Sequence, residues 1–464
     1  MASRRDQLQS YQFLVQRVVS ALVMRETDPA QSPFRRLTSS AFASVMVAVV
    51  ALAAVGVYGV IRPGGKDTWR SGDAVIVEKE TGTRYVYREG KLHPMANYTS
   101  ALLLLGNASK PLSVSRNSLV GVARGPRLGI PDAPDDLPSP DRILGAPWTL
   151  CSQQQEDESG ELVPTSVLVV GEEPSGGRAL GDRAVLVEDV KTRKPYLIWH
   201  NHRYEIAGDK VFDALVISQE RRIQVGGAWL NSLPAGEPLE PMPISGRGEP
   251  SNAVSGAVVG QVFVVTTQSG ERQFYVALRN ELAPITEVQA DILLTGDTKT
   301  AKELAPGVAA DAPKSAPPPV GDEQPPAQRP DIEQVSDNRT AVCAAFNDAG
   351  SAPSVLVNAA VRGADDAIRT SAQTSDGTAL ADRVLLEPGW GSVVEAMPSP
   401  DAKSGTLYLV TDQGERYPVG SAEVLAVLGY GKERPVRLPA SLVVRIPEGP
   451  ALNPLAAARP AVQD

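Results

Sequence analysis

The sequence predicts a mainly β protein with short helices, of the α+β class, tied to a membrane by one N-terminal helix. Three observations predict it. An uncharged apolar run of 21 residues stands close to the N-terminus. Beyond that run, a unit of β-branched stretches joined by turn residues recurs four times. The 40 glycines and 39 prolines among 464 residues exceed their usual share of about 12%, which favours turns and short elements over long helices. The length points to about three domains at roughly 150 residues each, and 42% hydrophobic residues suffice for real cores.

Residues 1–40 read as a cytoplasmic segment with an amphipathic helix. Tyr11, Leu14, Val15, Val18, Val19 and Leu22 fall at i, i+3, i+4, i+7, i+8 and i+11, which is one helical face. Such a helix beside a membrane lies on the lipid or packs on a partner, and the residues alone leave both open. Residues 41–61, AFASVMVAVVALAAVGVYGVI, read as a transmembrane helix. At about 1.5 Å per residue it crosses a hydrocarbon layer of about 30 Å. Arg35 and Arg36 precede it, and Arg62, Pro63, Gly64 and Gly65 end it. A cleaved signal peptide is the alternative. The charged leader of about 40 residues and the missing small-x-small cleavage site argue against it.

Charge sets the orientation. Residues 1–36 hold six arginines, no lysine and three acids, whereas residues 62–464 hold 39 basic and 51 acidic residues. The short basic flank stays in the cytoplasm and the large acidic part is exported, against the weaker pull of Arg62, Lys66 and Arg70. The two cysteines, Cys151 and Cys343, both lie in that exported part, where an oxidising compartment favours pairing them. Two unrelated buried thiols are the alternative. The net charge of −9 argues against a nucleic-acid partner.

The recurring unit is a hairpin with an added strand and an apolar stretch. Copy one runs from Val75-Ile76-Val77 through Arg84-Tyr85-Val86 and Leu92-His93-Pro94 to Ala101–Leu105. Copy two begins at Val185-Leu186-Val187, copy three at Val262-Phe263-Val264-Val265, and copy four at Leu407-Tyr408-Leu409-Val410 followed by Arg416-Tyr417. The spacing is uneven, so no regular solenoid is expected. A larger duplication encloses the copies. Ala179-Leu180-Gly181-Asp182-Arg183 matches Ala379-Leu380-Ala381-Asp382-Arg383, Cys151 matches Cys343, and Leu233-Pro234-Ala235-Gly236 matches Ile446-Pro447-Glu448-Gly449. Two related strand sets forming one central sheet are expected, tied by the disulfide, with the four copies around it.

The domain order is therefore module 1 over residues 66–125, a first half of the core over 140–180, module 2 over 181–240 and module 3 over 256–300. A proline-rich linker, 301–335, follows, then the second half of the core over 338–400, module 4 over 403–454 and a tail over 455–464. The linker holds eight prolines between residues 305 and 330 and reads as extended and poorly ordered. The tail beyond Pro454 is expected to be mobile.

Few residues offer chemistry. No Walker loop is present: Gly429-Tyr430-Gly431-Lys432-Glu433 lacks the spacing and the hydroxyl after lysine. No G-x-S-x-G elbow and no HExxH occur. His93, His200 and His202 read as structural or surface residues, and the adjacent acids Asp135-Asp136 and Glu172-Glu173 as solvated loop charges. Three histidines and two cysteines without metal spacing speak against a His/Cys metal centre. No catalytic, cofactor or metal residue is therefore singled out. Asn97-Tyr98-Thr99, Asn107-Ala108-Ser109 and Asn338-Arg339-Thr340 match the glycosylation triplet, as many chance triplets do.

Several of these strings resemble a known family. The N-terminal ASRRDQLQSYQFLVQRVVSALV, the single span ending in Arg62-Pro63, LHPMANYTSALLLLG at 92–106, RGPRLGIPDAP at 124–134 and Trp148-Thr149-Leu150-Cys151 look like EccB, the membrane component of actinobacterial type VII (ESX) secretion. Met95-Ala96 and Tyr98 depart from the aliphatic residues common there, and Ala101 from a frequent arginine. The resemblance implies a membrane-anchored core subunit of a secretion channel, with four repeat modules around a disulfide-linked β-core. It implies partners: an EccC-type FtsK/SpoIIIE ATPase, the polytopic EccD, EccE, a mycosin protease and further copies of itself. Tyr11, Leu14, Val15, Val18 and Leu22 would then face a partner. Some members are described as ATPases, so ATP enters as a cofactor only through that description. An extracytoplasmic ATPase and a cell-wall-binding module are the alternatives to a structural scaffold.

Overall fold

The computed structural model describes residues 3–24, 34–61, 67–157, 159–295, 300–335 and 341–461. The expected span end, Arg62–Gly65, and the Asn338-Arg339-Thr340 triplet lie outside the described residues. Arg4–Met24 and Phe34–Ile61 are helices. Within the second, Ser39–Tyr58 has a mean hydropathy of 2.4 and none of it is covered by protein, as an apolar membrane helix requires.

Four small sheets follow one plan. Three antiparallel strands are joined by turns, a helix crosses one face, and a fourth strand returns parallel to the first. The strands of module 1 are Ile76–Glu78, Arg84–Arg88, Lys91–Pro94 and Leu112–Val114, with the helix Tyr98–Leu105. Module 2 has Ala184–Asp189, Pro195–Trp199, His202–Glu205 and Ile223–Val225, with Asp209–Ala214. Module 3 has Val262–Thr266, Arg272–Ala277, Leu282–Ile285 and Lys302–Glu303, with Glu287–Leu294. The helix covers one sheet face, which a bare hairpin could not bury alone. Its start is written locally. Asn97 accepts from Ser100 N at 2.9 Å, and Thr286 and Gln289 cap each other reciprocally.

Module 4 differs from the sequence reading by one strand. Its first strand is Gly391–Met397, followed by Thr406–Thr411, Arg416–Val419, the helix Ala422–Val427 and Val436–Pro439. Leu407–Val410 is thus the second strand of this copy, where the sequence suggested the first. The cause is a long turn: residues 398–405 separate two strands that pair from Gly391↔Thr411 to Ala396↔Thr406. Read alone, Gly391–Met397 passed for part of the core.

The core is a seven-stranded sheet. Its centre is two hairpins side by side, Trp148–Glu156 with Leu162–Val170 and Ala341–Phe346 with Ser354–Ala359. The duplication exchanges the outer strands. Arg383–Leu385 pairs with the first hairpin, and Arg178–Ala179 with the second. Each half of the chain therefore runs module, hairpin, module. The modules pair across halves. Ala101, Leu102 and Leu103 of module 1 share a core with Leu425, Leu428 and Tyr430 of module 4. Val211, Phe212 and Leu215 of module 2 share one with Val288 and Ile292 of module 3. Modules 2 and 4 also pack on the central sheet, through Trp229 and Leu442 against Trp148 and Phe346.

The proline-rich stretch, expected as a loose linker, is a docked strap. Pro313 O accepts from Leu282 N (2.8 Å), Glu323 O from Glu237 N (2.8 Å) and Ala327 O from Val288 N (3.2 Å). Asp331 O then accepts from Ala184 N (2.9 Å), and Glu333 N donates back to Ala184 O (2.7 Å). Glu333 is buried and pairs with Arg178 and Arg183. The first half has the same device: residues 123–147 leave module 1 and end where Ile143 bridges Gly391, just as Ile332 bridges Ala184. Prolines lack N–H groups and cannot build a sheet of their own, but their carbonyls still accept. Composition alone shows extension and not what the extended chain lies against. The expected mobile tail is docked too. Pro454–Ala457 is a helical turn with Ala457 fully buried, and Arg459 O accepts from Gly129 N at 3.1 Å.

One helix end is strained. The helices of modules 1 and 4 are followed by Gly106 (φ 73°) and Gly429 (φ 102°) in the left-handed region, but module 2 has Val216 there at φ 60° and 68% exposed. A β-branched residue in that region costs about 1–2 kcal/mol and this one recovers little by burial. Val216→Gly should therefore raise stability by about 0.5–1 kcal/mol after the added chain entropy of glycine, read as a higher urea midpoint at unchanged slope.

Candidate functional site

The histidines and paired acids noted in the sequence make the following contacts. His93 lies flat on Gly125 and its Nδ1 donates to Pro126 O (3.3 Å). His200 stacks on Trp199 with ring centroids 3.7 Å apart and its Nε2 meets Asp182 Oδ1 at 3.1 Å. His202 is buried, and its Nδ1 lies 2.9 Å from His200 O. Asp135 accepts from Tyr98 N (2.9 Å) and pairs with Arg84 (2.8 Å), closing the first strap onto module 1. Glu172 and Glu173 are exposed. Among the described residues, no cluster of three His, Cys, Asp or Glu is arranged to hold a metal ion.

The glycine-flanked loop before Lys432 bolts module 4 to the first strap. Tyr430 is 1% exposed, donates its hydroxyl to Pro138 O (2.7 Å), and has its phenol pushed up by burial. Gly431 lies against Ala426, where a Cβ would come within 2.8 Å of its side chain. Within the loop, Gly429 N donates to Ala426 O (3.1 Å), Tyr430 N to Leu425 O (2.8 Å) and Glu433 N to Tyr430 O (3.1 Å).

Two features remain as candidate functional elements. The first is the staple. Cys151 and Cys343 form a disulfide between directly opposite residues of neighbouring strands, and both are fully buried. The bond joins the two halves at their mutual border. The second is the N-terminal helix. Tyr11, Leu14, Val15, Val18 and Leu22 are all exposed, from 42% at Val15 to 76% at Leu22, and Leu8 extends the stripe by one turn. Such a stripe is a binding face or a lipid face.

Sequence reasoning missed a third feature, an edge ribbon. After each module, the chain runs parallel to the third strand and covers its edge. Ala123-Arg124-Gly125, Pro234-Ala235-Gly236 and Pro447-Glu448-Gly449 each place a glycine N–H on that strand, to Leu92 O (3.0 Å), Arg203 O (2.9 Å) and Arg416 O (3.0 Å). Three residues on, Leu128, Leu239 and Leu452 donate to Pro94, Glu205 and Pro418. The strings ARGPRL, PAGEPL and PEGPAL carried this signal. Module 3 breaks it: Ser315 takes the glycine place, and Pro318, without an N–H, that of the leucine.

Comparison with known proteins gives the family. The family described as "Type VII secretion system ESX-1, transport TM domain B" matches residues 1–461. The chain belongs to the EccB family. Among EccB relatives, the ESX-3 secretion system ATPase EccB3 of Mycolicibacterium smegmatis is 26% identical, over 97% of this chain and 89% of that protein. The ESX-2 secretion system ATPase EccB2 of Mycobacterium tuberculosis is 28% identical, over 97% of this chain and 93% of that protein. Among solved structures, the EccB3 dimer from the ESX-3 core complex matches with a TM-score of 0.64 at 26% identity, covering 83% of this chain and all of that one. A chain of an intact ESX-5 inner membrane complex matches with a TM-score of 0.65 at 23% identity, covering 100% and 96%, and shows the same fold. The chain is a membrane component of a type VII secretion system, with one candidate transmembrane helix among its described residues.

Proposed function

We propose that this EccB chain is a single-pass structural subunit that joins a cytoplasmic motor to an extracytoplasmic assembly for protein export. The observation that carries the reading is the division of the chain by the one long apolar helix among its described residues. On one side stands a short helix with an unpartnered apolar stripe, on the other a large body stapled by a disulfide. The arginine-rich short flank puts the N-terminus in the cytoplasm, and the disulfide belongs in an oxidising compartment. In this reading the stripe packs on an EccC-type FtsK/SpoIIIE ATPase or the polytopic EccD. The exported body contacts EccE, a mycosin protease and other copies of itself. Energy from ATP enters through the motor partner. Intrinsic ATP hydrolysis and a cell-wall-binding role have no observation of their own.

The test is to charge the stripe. Leu14→Asp with Val18→Asp should reduce the partner proteins co-purified from mild-detergent membranes by at least about tenfold. The urea midpoint of the exported body should not change. Full recovery of the partners would assign the stripe to the lipid surface instead.

A further inference from the structure

A cleft opens between modules 2 and 4 over the turn of the second core hairpin. It encloses about 540 Å³, within the usual range for ligand sites. Phe346, Met397, Pro234, Pro353, Pro398 and Pro439 supply apolar wall, and Asp322 and Glu323 of the strap stand at its rim. His202 lines it while being only 8% exposed.

The hydrogen-bonding groups of this cleft lean toward acceptors. A carbonyl cannot donate, so His202 Nδ1 must carry the proton in its 2.9 Å contact with His200 O. In the neutral ring, Nε2 is then an acceptor, and the ring of this cleft-lining residue meets the protein's hydrogen-bonding groups through Nδ1. Of the four lining serines, two donate within the protein, and Ser399 and Ser441 bring exposed hydroxyls. Ser232 Oγ donates to Trp229 O (2.7 Å), Ser351 Oγ to Asp348 Oδ2 (2.9 Å), and Gly350 N and Ser351 N to Asp348 Oδ1 (2.7 and 2.9 Å). Five of the nineteen lining residues are prolines, which bring no N–H, and none is lysine or arginine. The strap carboxylates are held in place through their own backbone, since Tyr204 donates to Asp322 O and Glu237 N to Glu323 O. What remains is the His202 acceptor, an apolar wall and two exposed carboxylates, of which that of Asp322 also lies 3.6 Å from His200 Nδ1. Among the described residues, these groups do not converge as a metal site.

We propose that this cleft binds an arginine or lysine side chain presented by an extended segment of a partner protein. The aliphatic stem would lie along Phe346 and Met397, the N–H groups would donate toward His202 Nε2, and the charge would face Asp322 and Glu323. An anion is opposed by the rim charges. A neutral apolar side chain would cover the Nε2 lone pair and offer it no partner. The site is separate from the stripe on the N-terminal helix and does not depend on the scaffold reading.

The chain has three histidines, so ¹⁵N-histidine labelling of the full chain in detergent gives three readable imidazoles. His202 should show the Nδ1–H tautomer. Titration with the capped pentapeptide Ala-Ala-Arg-Ala-Ala should shift its Nε2 resonance and saturate. The citrulline counterpart, which keeps N–H donors but no charge, should bind at least about tenfold more weakly. Glu323→Lys, an exposed substitution that spares the fold, should weaken the arginine peptide by at least about tenfold with the tautomer unchanged. An Nε2–H tautomer, no shift with the arginine peptide, equal binding of the citrulline peptide, or indifference to Glu323→Lys would each overturn the proposal.

Discussion

The double substitution Cys151→Ala/Cys343→Ala is expected to cost about 3–5 kcal/mol of stability, measured as a fall in the urea midpoint followed by tryptophan fluorescence of the full chain in detergent. The bridged residues are 192 apart in sequence. Closing so long a loop removes roughly 5 kcal/mol of entropy from the unfolded chain. Residual structure in the unfolded state reduces that figure. Position makes the bond matter. It lies on the border between the hairpins, where pairing from Val342↔Ser152 to Phe346↔Trp148 is the main strand contact between halves. Alanine keeps the site apolar. Serine at either position would add a buried hydroxyl among Ala341, Ala359 and Leu356 and should cost more than alanine. Trp148 is fully buried in the same strand as Cys151 and reports the transition directly. A midpoint unchanged within about 0.5 kcal/mol would mean that the strand pairing and the exchanged edge strands hold the halves together unaided.

The parts of this fold that were legible in the sequence are those whose signal is local. The span needed only length and apolarity. The hairpins of modules 1 to 3 carried β-branched runs close to their turns, as in Val262–Thr266 pairing with Arg272–Ala277. The cysteine pair followed from compartment and number. What failed to show was set by distance. Gly391–Met397 pairs across an eight-residue gap, so its hairpin had no turn signature, and copy four was read out of phase. The strap is defined by carbonyls accepting from residues of modules 2 and 3 up to about 150 positions away, which no composition reports. The histidines behave the same way. His93 and His202 differ little as letters, yet one rests on a glycine and the other lines a cleft. Nothing short of the packed structure separates them.

The edge ribbon leads to a sharper expectation. Gly449→Ala should destabilise the chain by about 1–3 kcal/mol, and nearly all of that cost should vanish when Tyr417 is also replaced by alanine. Gly449 has no positive φ, so its backbone would accept any residue. The obstacle is steric. A Cβ at Gly449 falls 2.7 Å from Tyr417 Cδ1 and nearer still to Cε1. The ring has no room to withdraw: Tyr417 is fully buried, donates its hydroxyl to Glu415 Oε2 (2.7 Å), and belongs to the core shared by modules 1 and 4. The chain repeats this pairing. Gly236 meets Tyr204 and Gly125 meets His93, each time with the glycine N–H bonded to the residue before the ring. Module 3 supplies the natural control. Its third strand has the small residue Ala283 at this position, and there the ribbon carries Ser315 with the same hydrogen bond, to Leu282 O at 3.1 Å. The glycine is therefore demanded by the ring and not by the ribbon. Tyr417→Ala alone should cost about 3–5 kcal/mol for the lost ring. In that background Gly449→Ala or Gly449→Ser should cost less than about 0.5 kcal/mol, giving a coupling near 2 kcal/mol in a double-mutant cycle. A cycle that closes additively would place the role of glycine in the ribbon backbone and remove the steric account for all three modules.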